Sequence, residues 1–371
     1  HIKKWIVCSW IFLTGGILLG SIWAYYELGW GGFWFWDPVE NISLMPWISL
    51  TALLHCILVL EKRSSLGSWS IILCISTFTL SVCGTFLVRS GILNSVHTFA
   101  NDPERGLYIL IFLFFIIFLS LVLYFFYEDK LNFPNKSFGL ITKESHILIN
   151  NWFLMYFLSV ILIGTIYPIF LEVISNQRIS VGPPFFNKLI IPFLIPFLIF
   201  MSLGPNLGWL SSKKIEKKII LLTFFIINLF LSFFILKIIG KVKLLTLLLL
   251  AANFYLFFTT VKDFLKKGYK NFSQTVSHFG FSLLILSIIL NAIFSKEIIA
   301  NMKVGEGLSF ENNQIIFKKI ETSAGPNFEK IVGVFIIKDK KKIDTKFMPE
   351  VRIYNQPEVI TSEAFIKTSI F

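Results

Sequence analysis

Residues 23–47 read WAYYELGWGGFWFWDPVENISLMPW, and the reading of the whole chain turns on them. Five of the ten tryptophans fall here (Trp23, Trp30, Trp34, Trp36 and Trp47), followed by a D-P-V-E turn, with long apolar runs on both sides. A solvated loop gains nothing from so many indoles, and a plain membrane span does not carry Asp37 and Glu40. Tryptophan collects at membrane interfaces in any case, as an aromatic belt. A belt, however, scatters its rings over several helix ends, whereas half of these lie in one stretch. The concentration suits a flat, apolar ligand with a charged edge, held at a membrane surface. Asp37 fits the N-cap of a helix, Pro38 its first turn and Glu40 the return arm of a capping box. A helix is therefore expected to start at Pro38, with Pro46 allowing a bend.

Outward from that stretch the chain is apolar. Of 371 residues, 55% are hydrophobic and 15% charged, with mean hydropathy +0.73, which describes a polytopic membrane protein. Nine apolar spans are expected at about 5–26, 43–60, 68–88, 107–127, 152–170, 189–204, 219–238, 243–260 and 276–295. Each is near the roughly 20 residues that cross a bilayer as a helix. The seventh and eighth are joined only by a short link around Gly240 and are expected to form a helical hairpin. The fold class is thus an α-helical membrane protein of about nine transmembrane helices. Residues 296–371 are polar, with β-like runs NQIIFKKI, KIVGVFIIKD and EVRIY between turn residues. They are expected to form a small outward, periplasmic β-rich domain, incomplete at its end, after a helical domain of residues 1–295.

The net charge of +12 does not indicate nucleic acid, because the basic residues sit in short loops between spans. They set orientation instead. One side carries Lys3, Lys4, Lys62, Arg63, Lys130, Lys136, Lys143, Lys213, Lys214, Lys217, Lys218, Lys262, Lys266, Lys267 and Lys270. The other carries Arg89, Arg105, Arg178, Lys188, Lys237, Lys241 and Lys243. The larger set is expected in the cytoplasm, which turns the tryptophan stretch, the loops 89–106 and 171–188 and the C-terminal tail outward. The four cysteines, Cys8, Cys56, Cys74 and Cys83, lie inside apolar spans without C-x-x-C or C-x-x-C-H spacing. This excludes a thiol oxidoreductase and a c-type cytochrome. The first residue is His1 rather than Met, so an N-terminal portion is expected to be missing.

Three of the five histidines bear on chemistry. His55 lies late in the second span and His278 early in the ninth, on helices of opposite direction, so both fall at similar depth in the inner half of the membrane. Two imidazoles at one depth can grip a haem iron from both faces, or each can hydrogen-bond a neighbouring helix separately. His97 lies in the outward loop RSGILNSVHTFANDPERG, near the level of the tryptophans, as a surface histidine or an axial ligand. Arg89 is either a carboxylate partner or a snorkelling helix-end arginine. His146 is expected in a solvated cytoplasmic loop. His55 follows Pro38 by 17 residues, roughly 25 Å of helix, so sites at the two ends do not overlap. The loop LEVISNQRISVGPPFFN at 171–187 either packs on the tryptophan stretch or simply reverses the chain.

The stretch WAYYELGWGGFWFWDPVENISLMPW resembles the WWD motif of haem-handling membrane proteins, and its W-D-P-V-E-N continuation is similar to the CcmF/NrfE family of haem lyase subunits. TALLH at 51–55, RSGILNSVHTFA at 89–100, ITKESHILINN at 141–151, GTIYPIF at 164–170, ISVGPPFFN at 179–187 and SHFGFSLL at 277–284 carry the resemblance over most of the chain. The resemblance implies cytochrome c-type biogenesis: haem presented by the chaperone CcmE is joined through its vinyl groups to the two C-x-x-C-H thiols of an apocytochrome c. It implies Trp30, Trp34, Trp36, Asp37, Glu40 and Asn41 as the reacting-site segment and His97 as one outer axial ligand. The other outer ligand would precede the segment, and His1 has the wrong surroundings. It further implies His55 and His278 as axial ligands of a separate membrane haem b, which keeps the transferred haem ferrous with quinol as electron source. Arg89 is the candidate for a haem propionate. A helix N-terminus at Pro38 would also attract one, against the charges of Asp37 and Glu40. CcmH/CcmI-type subunits are the further expected partners. The expected location is a bacterial inner membrane, with a mitochondrial one as alternative. The family's closing helix after the outward domain has no counterpart here. Phe33 stands where a further Trp is usual, and Lys143 where Arg is usual. The rival readings are a haem relay of the CcmC kind, a quinol-linked b-type electron carrier and a secondary transporter of an aromatic substrate.

Overall fold

The structure, a computed structural model, describes residues 2–27, 34–92, 102–127, 139, 141–175, 179–209, 216–311, 313–339, 344–355 and 358–368. Trp30, Phe33, His97 and Arg178 lie outside the described residues. Among those described there are nine helices long and apolar enough to cross a membrane. They are α1 (Ile2–Glu27), α2 (Pro38–Arg63), α3 (Gly67–Ser90), α4 (Pro103–Tyr127), α5 (Lys143–Ser175), α6 (Pro183–Leu203), α7 (Glu216–Ile239), α8 (Leu244–Lys267) and α9 (Phe272–Phe294). All nine expected spans are present. The chain divides into two compact units, His1–Leu13 with Trp36–Ser295, and Thr14–Phe35 with Lys296–Phe371.

In the first unit α2 and α8 are the interior helices, with 56% and 50% of their most apolar window buried, whereas α4 has 6% buried and presents its phenylalanines outward. With lipid as solvent an exposed Phe is no cost, so the informative residues are the buried polar ones. α2 packs on α3 and α5, and buries Asn41 and Ser49. Ser49 and Thr77 hydrogen-bond between α2 and α3 at 2.9 Å. On the other side Ser282 of α9 donates to Asn253 Oδ1 of α8 at 3.2 Å. At the C-terminal end of α2 Arg63 Nε meets the buried Glu144 carboxylate at 2.8 Å, which ties that end to the start of α5. The α7–α8 hairpin turns at Gly240, φ +74°, where Gly240 N–H donates to Lys237 O and Lys241 N–H to Leu236 O, each at 3.1 Å. That double closure needs a left-handed residue, which glycine adopts freely.

One expectation fails. His146 is not in a solvated loop: it lies in the first turn of α5, buried, with Nδ1 donating to Thr142 O at 3.0 Å and its ring 5.4 Å from that of Phe200. The apolar run begins near residue 152, but the helix begins at Lys143. Its first turns are polar, yet Arg63 neutralises Glu144 and the protein rather than water surrounds this end.

The second unit holds a six-stranded antiparallel sheet: β1 (Gly307–Phe310), β2 (Asn313–Ala324), β3 (Phe328–Asp339), β4 (Asp344–Phe347), β5 (Glu350–Asn355) and β6 (Glu358–Glu363). The order is β1-β2-β3-β5-β6, with β4 also paired to β3. The three β-like runs of the sequence are β2, β3 and β5. Phe317 and Phe335 stack across β2 and β3 at 4.4 Å, and the register shifts between Phe317 and Lys319, a β-bulge at Lys318.

Candidate functional site at the two ends of helix α2

The tryptophan stretch ends in the helix start that its residues prescribe. Asp37 is the N-cap of α2: its Oδ2 accepts from Val39 N–H at 2.9 Å, and Glu40 Oε2 accepts from Asp37 N–H at 3.2 Å. Pro38 occupies the first turn, where no N–H is needed. Just before the cap, Trp36 stands at φ +59°, a left-handed conformation rare for a side chain of its size. Asn41, buried, donates through Nδ2 to the Trp36 carbonyl at 3.0 Å and to Thr165 Oγ1 of α5 at 3.1 Å. Its Oδ1 is also buried and has no hydrogen-bond partner among the described residues. The Trp36 ring lies against Phe186 of α6, centroids 4.5 Å apart and planes 13° apart. Phe186 lies in the first turn of α6 rather than in a loop at 171–187, and that turn packs on the tryptophan stretch. The spacing of the sequence could not decide this, and Phe186 was not among the expected site residues.

The remaining tryptophans divide. Trp47, further along α2, stacks on Trp10 of α1 at 6.0 Å, and Trp10 Nε1 donates to Thr51 Oγ1 at 2.9 Å. That pair is helix packing rather than an open platform. Trp34 is half-buried and Trp23 exposed. Arg89 sits half-buried in the last turn of α3, and its carbonyl accepts Asp102 N–H at 2.8 Å. The bond ties the end of α3 to the residue before α4.

At the other end of α2, His55 Nδ1 donates to Thr51 O at 2.8 Å. This fixes the tautomer and leaves the Nε2 lone pair available. His278 lies on α9, near its start. Both residues are half-buried. His278 also lines a small polar cleft with Ser202, Asn206, Asp263 and Gln274. Beside His55, Asn151 of α5 donates to Cys56 Sγ at 3.0 Å. Imidazoles on two different helices, His55 with its Nδ1 already bonded, are the residue type that ligates a haem iron from both faces. Among the described residues no three His, Cys, Asp or Glu side chains cluster as a bare metal site.

Residues 1–93 match the family model described as cytochrome C assembly protein, and residues 293–371 match the one described as CcmF C-terminal beta-sandwich. The cytochrome c-type biogenesis protein CcmF of Escherichia coli (strain K12) is 36% identical over 376 residues, 99% of this chain. The NrfE protein of Haemophilus influenzae is 32% identical over 97% of the chain. CycK of Bradyrhizobium diazoefficiens is 49% identical over 208 residues, 56% of this chain and 31% of the relative. A solved structure titled cytochrome c heme lyase CcmF superimposes with TM-score 0.75 at 22% identity, over 99% of this chain and 58% of that one. It shares the fold. The chain spans about 58% of the length of the E. coli and H. influenzae relatives.

Proposed function

The chain belongs to the CcmF/NrfE family of cytochrome c-type biogenesis proteins, and on that premise we propose that it is the haem-ligating part of a cytochrome c haem lyase. The observation that carries the reading is α2. One helix begins at the capped W-D-P-V-E-N segment and carries His55 near its other end.

The substrate haem lies on the aromatic segment, with Trp36 and its neighbours supplying apolar contact to the porphyrin. His97 gives the iron an axial imidazole, and Arg89 pairs with a propionate. Trp30, Trp34, Asp37, Glu40 and Asn41 complete that wall. CcmE delivers the haem, and an apocytochrome c presents its two C-x-x-C-H thiols. Each thiol adds across a haem vinyl group: a C–S bond forms, the C=C bond becomes single, and the thiol proton ends on the neighbouring carbon. No electrons are gained or lost in the addition, but the iron must be ferrous for it.

His55 and His278 are the residues that would hold a second, resident haem b, through His55 Nε2 and the His278 imidazole. A haem bound between two imidazoles supplies one-electron chemistry in the inner half of the membrane. Thr51 keeps His55 in the ligating tautomer, and Asn151 holds the adjoining turn of α2 to α5. The outer face is periplasmic in this reading, since the basic residues gather at the inner helix ends.

Covalent product is the test. The chain, co-expressed with the portion of the E. coli relative that it does not match, together with CcmE and an apocytochrome, is expected to give haem that stays on the cytochrome in denaturing gels. A haem relay of the CcmC kind or a b-type carrier would bind haem under the same conditions and give no covalent adduct, which would overturn the reading.

A further inference from the structure

Left-handed backbone at a tryptophan persists only where neighbours over-determine it, and the neighbours of Trp36 come from two adjacent residues of α5 and one of α6. Thr165 donates its hydroxyl proton to Ile161 O at 2.7 Å. Its oxygen is thereby left to accept from Asn41 Nδ2 at 3.1 Å, while the other hydrogen of the same amide goes to the Trp36 carbonyl at 3.0 Å. Both amide hydrogens are committed, one to the α5 side chain and one to the strained peptide. The second constraint is the ring. Phe186 is fully buried and lies nearly parallel to Trp36 at 4.5 Å. It reaches that place through a recess at Gly164, where a Cβ would stand 2.7 Å from the Phe186 ring and 2.9 Å from that of Phe185. One residue of α5 therefore makes room for the stacking ring, and the next fixes the carbonyl.

We propose that Gly164, Thr165 and Phe186 are positioning residues that hold the Trp36 indole in the one orientation in which it meets the substrate haem. The inference rests on the reading of Trp36 as part of the haem platform. None of the three touches the haem. They act through Trp36 by fixing its backbone and ring, so that no ordering of that residue is left to be done when the porphyrin arrives.

The test is titration of the purified, detergent-solubilised full chain with haem, comparing wild type with Trp36→Ala, Thr165→Val, Thr165→Ser and Phe186→Leu. The absorption of the haem already held at His55 and His278 serves as an internal check on the fold. Trp36→Ala is expected to weaken uptake of added haem. Thr165→Val and Phe186→Leu are each expected to weaken it roughly three- to tenfold, the equivalent of one lost hydrogen bond or ring contact. Thr165→Ser, which keeps the oxygen, is expected to stay within about twofold of wild type, with the inner absorption unaltered in all four. If Trp36→Ala weakens uptake but Thr165→Val and Phe186→Leu bind as wild type does, the positioning role is wrong and the platform stands. If Trp36→Ala has no effect, both fall. If Thr165→Val also abolishes the inner absorption, Thr165 is a general packing position and the proposal is overturned.

Discussion

Glu350 on β5 lies between two cations, with Lys330 at 3.0 Å and Arg352 at 2.6 Å. Burial pushes its carboxyl up, but the hydrogen bonds and charges of Arg352 and Lys330 outweigh this and hold it below its ordinary value near 4.5. A carboxylate with a depressed folded pKa stabilises the fold fully above its unfolded value, and the contribution is lost as pH falls through the folded one. The β-sheet unit is therefore expected to lose thermal stability progressively from about pH 5 downward, and Glu350→Gln to flatten that dependence. Circular dichroism melts of the full chain at stepped pH check it, and an unaltered slope in the variant would count against the pairing. At the same scale, the capping residues Asp37, Pro38 and Glu40 were legible from the sequence, because caps are local and depend on spacing alone. Phe186 and Thr165 were not, since a contact between residues 150 and 124 positions apart, Phe186 with Trp36 and Thr165 with Asn41, leaves no trace in spacing.

Among the elements, α2 is held to α5 at both ends. Asn41 meets Thr165 at the outer end, and Asn151 and Glu144 meet Cys56 and Arg63 at the inner end. Removing one partner of a buried ion pair leaves the other charge uncompensated. Glu144→Ala is expected to cost about 3 kcal/mol, the lower end for such a pair because Arg63 remains 20% exposed. Arg63→Met with Glu144→Leu is expected to recover most of it. Thermal unfolding in detergent measures both, and a single variant as stable as wild type would show the pair to be idle. The nine spans were legible because a bilayer demands about 20 apolar residues for each. The true start of α5 was not, because its first turns are polar residues whose partners lie on α2, and His146 was misplaced for that reason. In the sheet, β2, β3 and β5 showed through alternation, whereas β1 and β4, four residues each, are too short to carry a period.

For the whole molecule, the expected orientation rests on the basic residues, fifteen of which the sequence assigns to one set of loops and seven to the other. With Cys8, Cys56, Cys74 and Cys83 replaced, a cysteine introduced at Lys266 is expected to react with an impermeant maleimide only after the inner membrane is opened. One at Lys303 is expected to react from the periplasm in intact spheroplasts, and the reverse pattern would invert the topology. The larger claim is that one helix serves two separate haem positions, an aromatic one at its outer start and an imidazole pair at its inner end. The absorption spectrum of the purified chain measures this most directly. It is expected to show a Soret band and a low-spin bis-imidazole ferrous spectrum that His55→Ala or His278→Ala each removes and Trp36→Ala leaves in place. A colourless protein, or one whose spectrum survives loss of both histidines, would contradict the account.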